Sequence, residues 1–223
     1  KQDIAKLQAM GIDARQEDRY IEVIGDITYE KENIEDVRVF DYIRRVRGHL
    51  CFPNLETMPK NTFQSLETCG DLIFPNLKIL HEGSFSGLLM CWYLRFDNLL
   101  TLPKNVFQRL FECWDLRFDN LQTLHQDSFS NLMRCCTLFF PNLQTLPENV
   151  FKRLIKCRNL FFDKLKTLHK DSFKNLLECD DFCPTDIKKE GEDGFIWFEK
   201  TMCSGYYPEL GVAKFDNLIS IIK

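Results

Sequence analysis

The sequence lacks any apolar run near the roughly 20 residues that a bilayer-spanning helix needs. It also lacks a block of clustered Lys and Arg, and its formal net charge is -4. The first absence predicts no membrane insertion. The second argues against nucleic acid as a partner, because phosphate backbones are bound through clustered basic side chains.

Motifs of catalysis are also missing. The chain has no glycine-rich phosphate loop, no Gly-x-Ser-x-Gly and no His-Glu-x-x-His, which mark phosphate-binding, esterase-type and zinc-peptidase sites. The pairs Asp127-Ser128 and Asp171-Ser172 recur with the repeat described next, which favours a turn-capping role. We therefore expect neither enzyme activity nor a cofactor.

What the sequence does contain is an internal repeat. From residue 54 the chain copies itself six times at intervals of 22 residues. Seven columns of the repeat are apolar: the Leu columns from Leu55, Leu66 and Leu72, the Phe columns from Phe63 and Phe74, the Met58/Leu80 column and the Cys69 column. One such coil cannot bury its own apolar side, whereas stacked coils bury a continuous core. The residue after the second Leu column alternates between Pro and His, so the duplicated unit is predicted to be 44 residues long.

The spacing within one repeat predicts its local structure. Leu116 and Phe118 alternate with the period of a β-strand, whereas Phe85, Leu88 and Leu89 have the spacing of a helical turn. We therefore predict an α/β solenoid, a right-handed superhelix of about 7–8 coils with a parallel β-sheet on one face and short helical or 3₁₀ return arms.

The order Phe-x-x-Leu-x-x-Cys-x-x-Leu-x-Phe-Pro-x-Leu-x-x-Leu over Phe129–Leu146 resembles the BspA-like, or Treponema-type, leucine-rich repeat. The present repeat is one residue shorter than that family's, and Leu132 stands where the family has its Cys. The piece Leu102–Leu110 is also similar to the typical extracellular leucine-rich repeat. The resemblance covers about residues 40–185 and implies a leucine-rich-repeat binding scaffold, with no catalytic residues to carry over.

The N-terminal part departs from the repeat. Residues 1–20 place Ile4, Leu7 and Met10 at helical spacing, which predicts a helix over the open end of the core or, alternatively, a linker from an upstream domain. Residues 21–53 repeat the apolar pattern loosely and are predicted to form an N-terminal capping repeat.

The C-terminal part follows the six leucine-rich-type repeats of residues 54–185. Residues 186–223 are predicted to form a C-terminal cap with an aromatic insert, about residues 188–213, and a final strand at 214–221. The alternative is that the insert is a binding loop.

Six of the ten cysteines fall at intervals of 22 residues. In stacked strands their Cβ atoms would lie about 4.8 Å apart and point the same way, which does not suit a disulfide. We therefore predict a reduced, buried cysteine ladder, which favours a reducing, cytoplasmic compartment and leaves a secreted or cell-surface location open. His81, His125 and His169 lie two coils apart, about 10 Å, and are predicted to pack on loops or the outer surface rather than share a metal.

The outward surface of the predicted sheet, called the sheet face below, is the candidate site. Its columns vary where the inner columns are uniform, and Trp, Tyr, Phe and Arg are the residue types enriched in binding hot spots. The candidate partner-binding residues are Trp92, Tyr93, Arg95, Asp97, Trp114, Asp115, Arg117, Asp119, Phe139, Arg158 and Phe161.

These residues predict a protein-recognition scaffold. A surface adhesin or glycan-binding module, and a non-catalytic recognition domain of a larger effector or enzyme, are the alternatives. A further possibility is that the C-terminal insert or a neighbouring domain covers the aromatic side chains.

Overall fold

The computed structural model describes residues 2–32, 38–183, 186–190 and 195–200. These residues form a parallel-strand β-solenoid of about six turns with few helices. The chain begins with helix α1 (Gln2–Ala9), followed by an antiparallel hairpin of β1 (Ala14–Glu17) and β2 (Tyr20–Val23). Leu7 of α1 is buried against the core, as its helical spacing predicts, whereas Met10 is exposed.

The next elements connect the hairpin to the main sheet. They are β3 (Ile27–Thr28), α2 (Arg38–Asp41), β4 (Ile43–Val46) and β5 (Leu50–Cys51). Strand β2 pairs in parallel with β4, and β3 pairs in parallel with β5. The stack therefore starts before the first regular repeat. Neither α-helix among the described residues has the length and apolar composition needed to cross a membrane.

Each regular coil contributes one strand to the main sheet. These strands are β6 (Asp71–Ile73), β7 (Met90–Arg95), β9 (Glu112–Arg117), β11 (Arg134–Phe139), β13 (Lys156–Phe161) and β15 (Asp181–Cys183). Between them lie the short strands β8 (Thr101–Leu102), β10 (Thr123–Leu124), β12 (Thr145–Leu146) and β14 (Thr167–His169). The main sheet has eight parallel strands.

The register is constant along the regular coils. Cys91 pairs with Cys113, Cys113 with Cys135, and Cys135 with Cys157, always 22 residues apart. The prediction that equivalent residues of successive coils lie in rows is therefore confirmed.

Two stacks of phenylalanine rings form the core. Rings from Phe52 to Phe162 stack with centroids 5.0 to 5.7 Å apart, and rings from Phe63 to Phe173 do so at 5.3 to 5.7 Å. The two stacks meet edge to face, for example at 6.4 Å between Phe107 and Phe118. Both arrangements are favoured geometries for aromatic rings. The core is therefore one uninterrupted aromatic and aliphatic column.

The return arms are less helical than predicted. Each arm has a single turn closed by a hydrogen bond such as that from Leu110 N to Phe107 O, 3.0 Å. Within the described part of the chain the one 3₁₀ helix is Lys170–Phe173. Left-handed residues interrupt several arms, as at Asn61 and Asn105, where φ is 62° and 60°. A residue with positive φ cannot continue a right-handed helix, and the Phe-x-x-Leu spacing suits isolated turns equally well.

Asparagine amides tie neighbouring coils together on the outside of the stack. Asn120 Nδ2 donates to the carbonyl oxygen of Asp97 at 2.8 Å, and Asn142 Nδ2 donates to that of Asp119 at 2.6 Å. Such bonds satisfy backbone groups that the turns leave unpaired.

The last described strands are β16 (Asp186–Glu190) and β17 (Phe195–Lys200). Strand β17 pairs antiparallel with both β14 and β16. The predicted final strand at 214–221, and the part of the aromatic insert after residue 200, lie outside the described residues.

Candidate functional site

The main strands turn two consecutive side chains outwards. In β9, Cys113 and Leu116 are buried, while Trp114 and Asp115 between them face outwards. Between β9 and β11, Cys113 pairs with Cys135 and Asp115 pairs with Thr137, so Trp114 is left out of the pairing. The backbone therefore departs from simple alternation at this point, and each coil presents an extra side chain on the sheet face.

The thiols of the cysteine column contact the backbone at this break in the alternation. Cys113 Sγ lies 3.3 Å from the carbonyl oxygen of Asp115 and 3.6 Å from that of Trp92, within donating distance of either. Cys135 Sγ lies 3.1 Å from the oxygen of Thr137 and 3.4 Å from that of Trp114. A thiol is apolar enough for the core yet carries one weak donor. The column is therefore a hydrogen-bonding feature as well as the packing feature that the sequence predicts.

Burial opposes ionisation of two thiols of the column, Cys113 and Cys157. Burial raises the pKa of Cys113 and of Cys157 well above its usual value, because a thiolate is poorly solvated in an apolar core. None of the eight cysteines whose side chains the structure describes forms a disulfide. The six cysteines of the column are buried, as the sequence predicts.

The aromatic residues of the sheet face are exposed. Trp92 and Trp114 expose 58% and 61% of their surface, and Tyr93 exposes 48%. Phe139 and Phe161 are half-buried, with ring centroids 5.9 Å apart in an edge-to-face contact. The structure thus brings all five aromatic residues named from the sequence onto one surface.

The arginines of the sheet face are held by carboxylates. Arg95 Nε donates to Asp97 Oδ1 at 2.8 Å, and Arg117 Nε donates to Asp119 Oδ1 at 2.7 Å. The hydrogen bond to Asp97 raises the pKa of Arg95. Each arginine is thus paired with the aspartate two residues further along the chain, and Arg117 also lies over the ring of Phe139.

The remaining candidate residues complete the charge pattern. Arg158 Nε lies 3.5 Å from Asp180 Oδ2. The charge of Asp115 raises the pKa of the Tyr93 phenol, which also hydrogen-bonds that carboxylate. Tyr93 is therefore neutral at neutral pH, and its phenol oxygen can accept a hydrogen bond while its proton is donated to Asp115.

Two hollows lie on this surface. One of about 490 Å³ is lined by residues that include Tyr93, Arg95, Arg117, Phe139 and Phe161. The second, of about 350 Å³, lies over Cys136 and is lined by residues that include Trp114, Arg134, Lys156 and Arg158. Both are open hollows between outward rows of side chains, which suits the side chains of a docked macromolecule.

Two features of this surface escape the sequence prediction. A rim of apolar side chains runs beside it, formed by Leu89, Phe111, Met133, Ile155 and Leu177. Phe111 and Leu177 expose 46% and 58% of their surface. The sequence does carry a signal for this rim, because the residue after the Leu66 column is apolar in five of the six repeats. The second feature is a pair of closely packed glycines, Gly48 and Gly70, at the Trp92 position of the two preceding coils. A Cβ on Gly70 would lie 2.6 Å from the Gly48 carbonyl oxygen.

His125 and His169 pack on the return arms. His125 Nδ1 accepts a hydrogen bond from Asp127 N at 3.2 Å, and His169 Nδ1 accepts one from Asp171 N at the same distance. Among the described residues, one group of possible metal ligands lies within 4.8 Å, namely Glu148, His169 and Asp171. Because His169 Nδ1 already accepts a backbone hydrogen bond, this group is better explained as a turn cap than as a metal centre.

Fold and surface together define the class of this molecule as a solenoid repeat protein with an exposed aromatic and arginine-rich sheet face. No protein-family model matches the chain, and no curated protein is similar to it in sequence. The class is therefore defined by geometry, and function has to be inferred from the surface itself.

Proposed function

We propose that this protein is a recognition scaffold that binds another protein through its sheet face. The observation that carries the proposal is the exposure of Trp92 and Trp114 on adjacent strands, at 58% and 61%. Contiguous exposed aromatic surface of this kind usually marks an interaction site, and Trp and Arg dominate binding hot spots.

Preorganisation supports the same conclusion. The arginines are fixed by Asp97 and Asp119, and the strands that carry them are locked by the constant register of the stack. Binding therefore orders few side chains, which lowers the entropic cost of association. No catalytic arrangement is needed for this role, and we propose that the protein is not an enzyme.

The test replaces the two exposed tryptophans. The double variant Trp92→Ala/Trp114→Ala should lose partner capture from the native source while its melting temperature stays within about 2 °C, because exposed side chains contribute little to stability. The matched control is Ile79→Ala/Leu100→Ala, which removes equally exposed apolar side chains outside the sheet face. Capture that survives in the tryptophan variant would refute the proposal.

A second candidate function is glycan binding. Gly48 and Gly70 occupy the Trp92 position in the two preceding coils, so no side chain stands beside the exposed ring of Trp92 in that row, and Asp71 Oδ2 lies 2.9 Å from His49 Nδ1 nearby. A flat ring beside polar groups suits a sugar, which stacks on an aromatic face and hydrogen-bonds at its edge. A glycan array probed with the wild type and with Trp92→Ala separates this candidate from protein recognition.

We further infer that the coils are a 22-residue variant of the BspA-like leucine-rich repeat, in a right-handed superhelix of about 7–8 coils if the two ends are counted. Support comes from the Leu and Phe columns, which are buried except at Leu124. On this interpretation residues 21–53 and 186–223 are the caps of the stack, and the hairpin β1–β2 shields its first strand edge.

A further inference from the structure

Two rows of the sheet face carry aromatic and cationic side chains in opposite order. The row nearer the cysteine column reads Trp92, Trp114, Cys136, Arg158, and the row three residues further along each strand reads Arg95, Arg117, Phe139, Phe161. One row thus runs from aromatic to cationic along the stack, while the other runs from cationic to aromatic. Over these four strands the order has the reversal that a self-complementary surface requires.

On the basis of the function proposed above, we propose that the sheet face binds a second copy of this chain. The two copies face each other about a two-fold axis that lies parallel to the strands, between β9 and β11. Such an axis reverses the order of the coils but keeps each row opposite the same row. A two-fold interface must be self-complementary in this way, because every contact between two different residues occurs twice, once in each direction.

The inverse order then becomes a set of matched contacts. Arg117 of one copy lies opposite Phe139 of the other, and Arg95 lies opposite Phe161. Within one chain Arg117 already lies 4.5 Å above the ring of Phe139, so this pair of side chains is shown to associate. A guanidinium over an aromatic face is attractive, more so when desolvated.

The hollow over Cys136 provides the anchor of the interface. It measures about 350 Å³ and lies between the Trp114 row position and Arg158. Across the proposed axis Trp114 of the second copy faces this hollow, and Trp92 faces Arg158. Interface tryptophans bind most strongly when they enter such a pocket.

Charge at the edge of the sheet face agrees with the same axis. The first residues of three successive strands are Glu112, Arg134 and Lys156. Reversal of the coil order places Glu112 of one copy opposite Arg134 of the other, with Lys156 one coil further on. Opposite charges therefore meet at two symmetry-related contacts, one on each side of the axis, which favours this orientation over one shifted by a strand.

The experiment is a charge exchange measured by sedimentation equilibrium. Glu112→Arg makes this edge entirely positive, and Arg134→Glu/Lys156→Glu makes it entirely negative. The wild type should dimerise, each variant alone should dimerise at least about tenfold more weakly, and an equimolar mixture of the two should recover a heterodimer, because like charges repel and opposite charges attract across the axis. Lys166→Glu, a charge change outside the sheet face, is the control and should leave the dimer intact.

Two results overturn the proposal. One is a wild type that stays monomeric at the highest soluble concentration; the other is a dimer that neither variant weakens. A monomeric wild type whose Trp92→Ala/Trp114→Ala variant still loses capture of a different protein removes the second copy as partner and leaves protein recognition standing. A monomer whose tryptophan variant loses nothing removes both.

Discussion

Arg117 lies over the ring of Phe139 on the next strand, with its Cζ atom 4.5 Å from the ring centroid. The same guanidinium donates from Nε to Asp119 Oδ1 at 2.7 Å. The side chain is thus held by a ring face and by a carboxylate, although it is exposed. An arginine fixed in this way keeps its planar group in one orientation, which would lower the entropic cost of the binding proposed above.

The thiol bonds of the cysteine column predict how substitutions at Cys135 behave. Cys135→Ala removes the donor that reaches the Thr137 carbonyl oxygen and opens a small cavity, so we expect a loss of about 1–3 kcal/mol in the free energy of unfolding. Cys135→Ser keeps a donor at the same place and should cost less. Urea denaturation of both variants measures the difference; a serine variant less stable than the alanine variant would mean that the column acts through packing alone.

Burial of the thiols predicts a loss of stability at alkaline pH. The pKa of Cys113 and of Cys157 is raised in the folded state, whereas thiols of the unfolded chain titrate near about 8.5. The unfolded state therefore releases these protons first. Their contribution is complete below about pH 8.5 and is lost as the pH rises above it.

The measurement compares the wild type with Cys113→Ala/Cys157→Ala between pH 7 and pH 10, a range that spans the unfolded thiol pKa of about 8.5. The free energy of unfolding should fall less steeply with pH in the variant, since two of the responsible groups are gone. Parallel curves would show that other groups cause the alkaline loss.

The phenylalanine stacks predict that removal of one ring in mid-column strongly destabilises the fold. Phe118 lies 5.3 Å from Phe96 and 5.3 Å from Phe140, centroid to centroid, and is fully buried. Phe118→Ala should destabilise the fold by about 3–5 kcal/mol, and Phe118→Leu by less, because leucine fills more of the cavity. Thermal melts give both values, and a cost for alanine below about 1 kcal/mol would be inconsistent with a closed stack.

The left-handed conformation of Asn61 predicts different losses of stability for two small substitutions. Its φ is 62°, a conformation that glycine adopts freely and alanine does not. Asn61→Ala should cost about 1 kcal/mol relative to Asn61→Gly, even though alanine normally stabilises a chain through its unfolded state. Both variants lack the amide, so the difference in their urea midpoints isolates the backbone effect; equal midpoints would contradict it.

The 22-residue spacing was sufficient to predict which residues share a row. Leu116 and Phe118 alone indicated the strand, and the repetition of the sequence then fixed its neighbours. The thiol bonds of Cys113 were not predictable, because they depend on the outward pair Trp114 and Asp115, and no simple alternation produces two consecutive outward side chains.

Helical return arms and the N-terminal hairpin show two other limits. The Phe-x-x-Leu step has the same spacing in a helix and in an isolated turn, and the positive φ of Asn105 that separates the two cannot be read from apolar periodicity. Strand β1 buries only Ala14 of its four residues, so it carries no alternating pattern to detect.

Because every regular coil meets its neighbours through the same ring-on-ring contact, the array has no intrinsic length. A duplication of the 44-residue unit would insert one coil with Pro and one coil with His after the second Leu column. Both coils would stack on phenylalanine rings above and below them. Each such event would extend the outer surface by about 10 Å, two strand spacings, without creating a new kind of junction. New variable positions would then be exposed on the sheet face while the stacked interior stayed as it was.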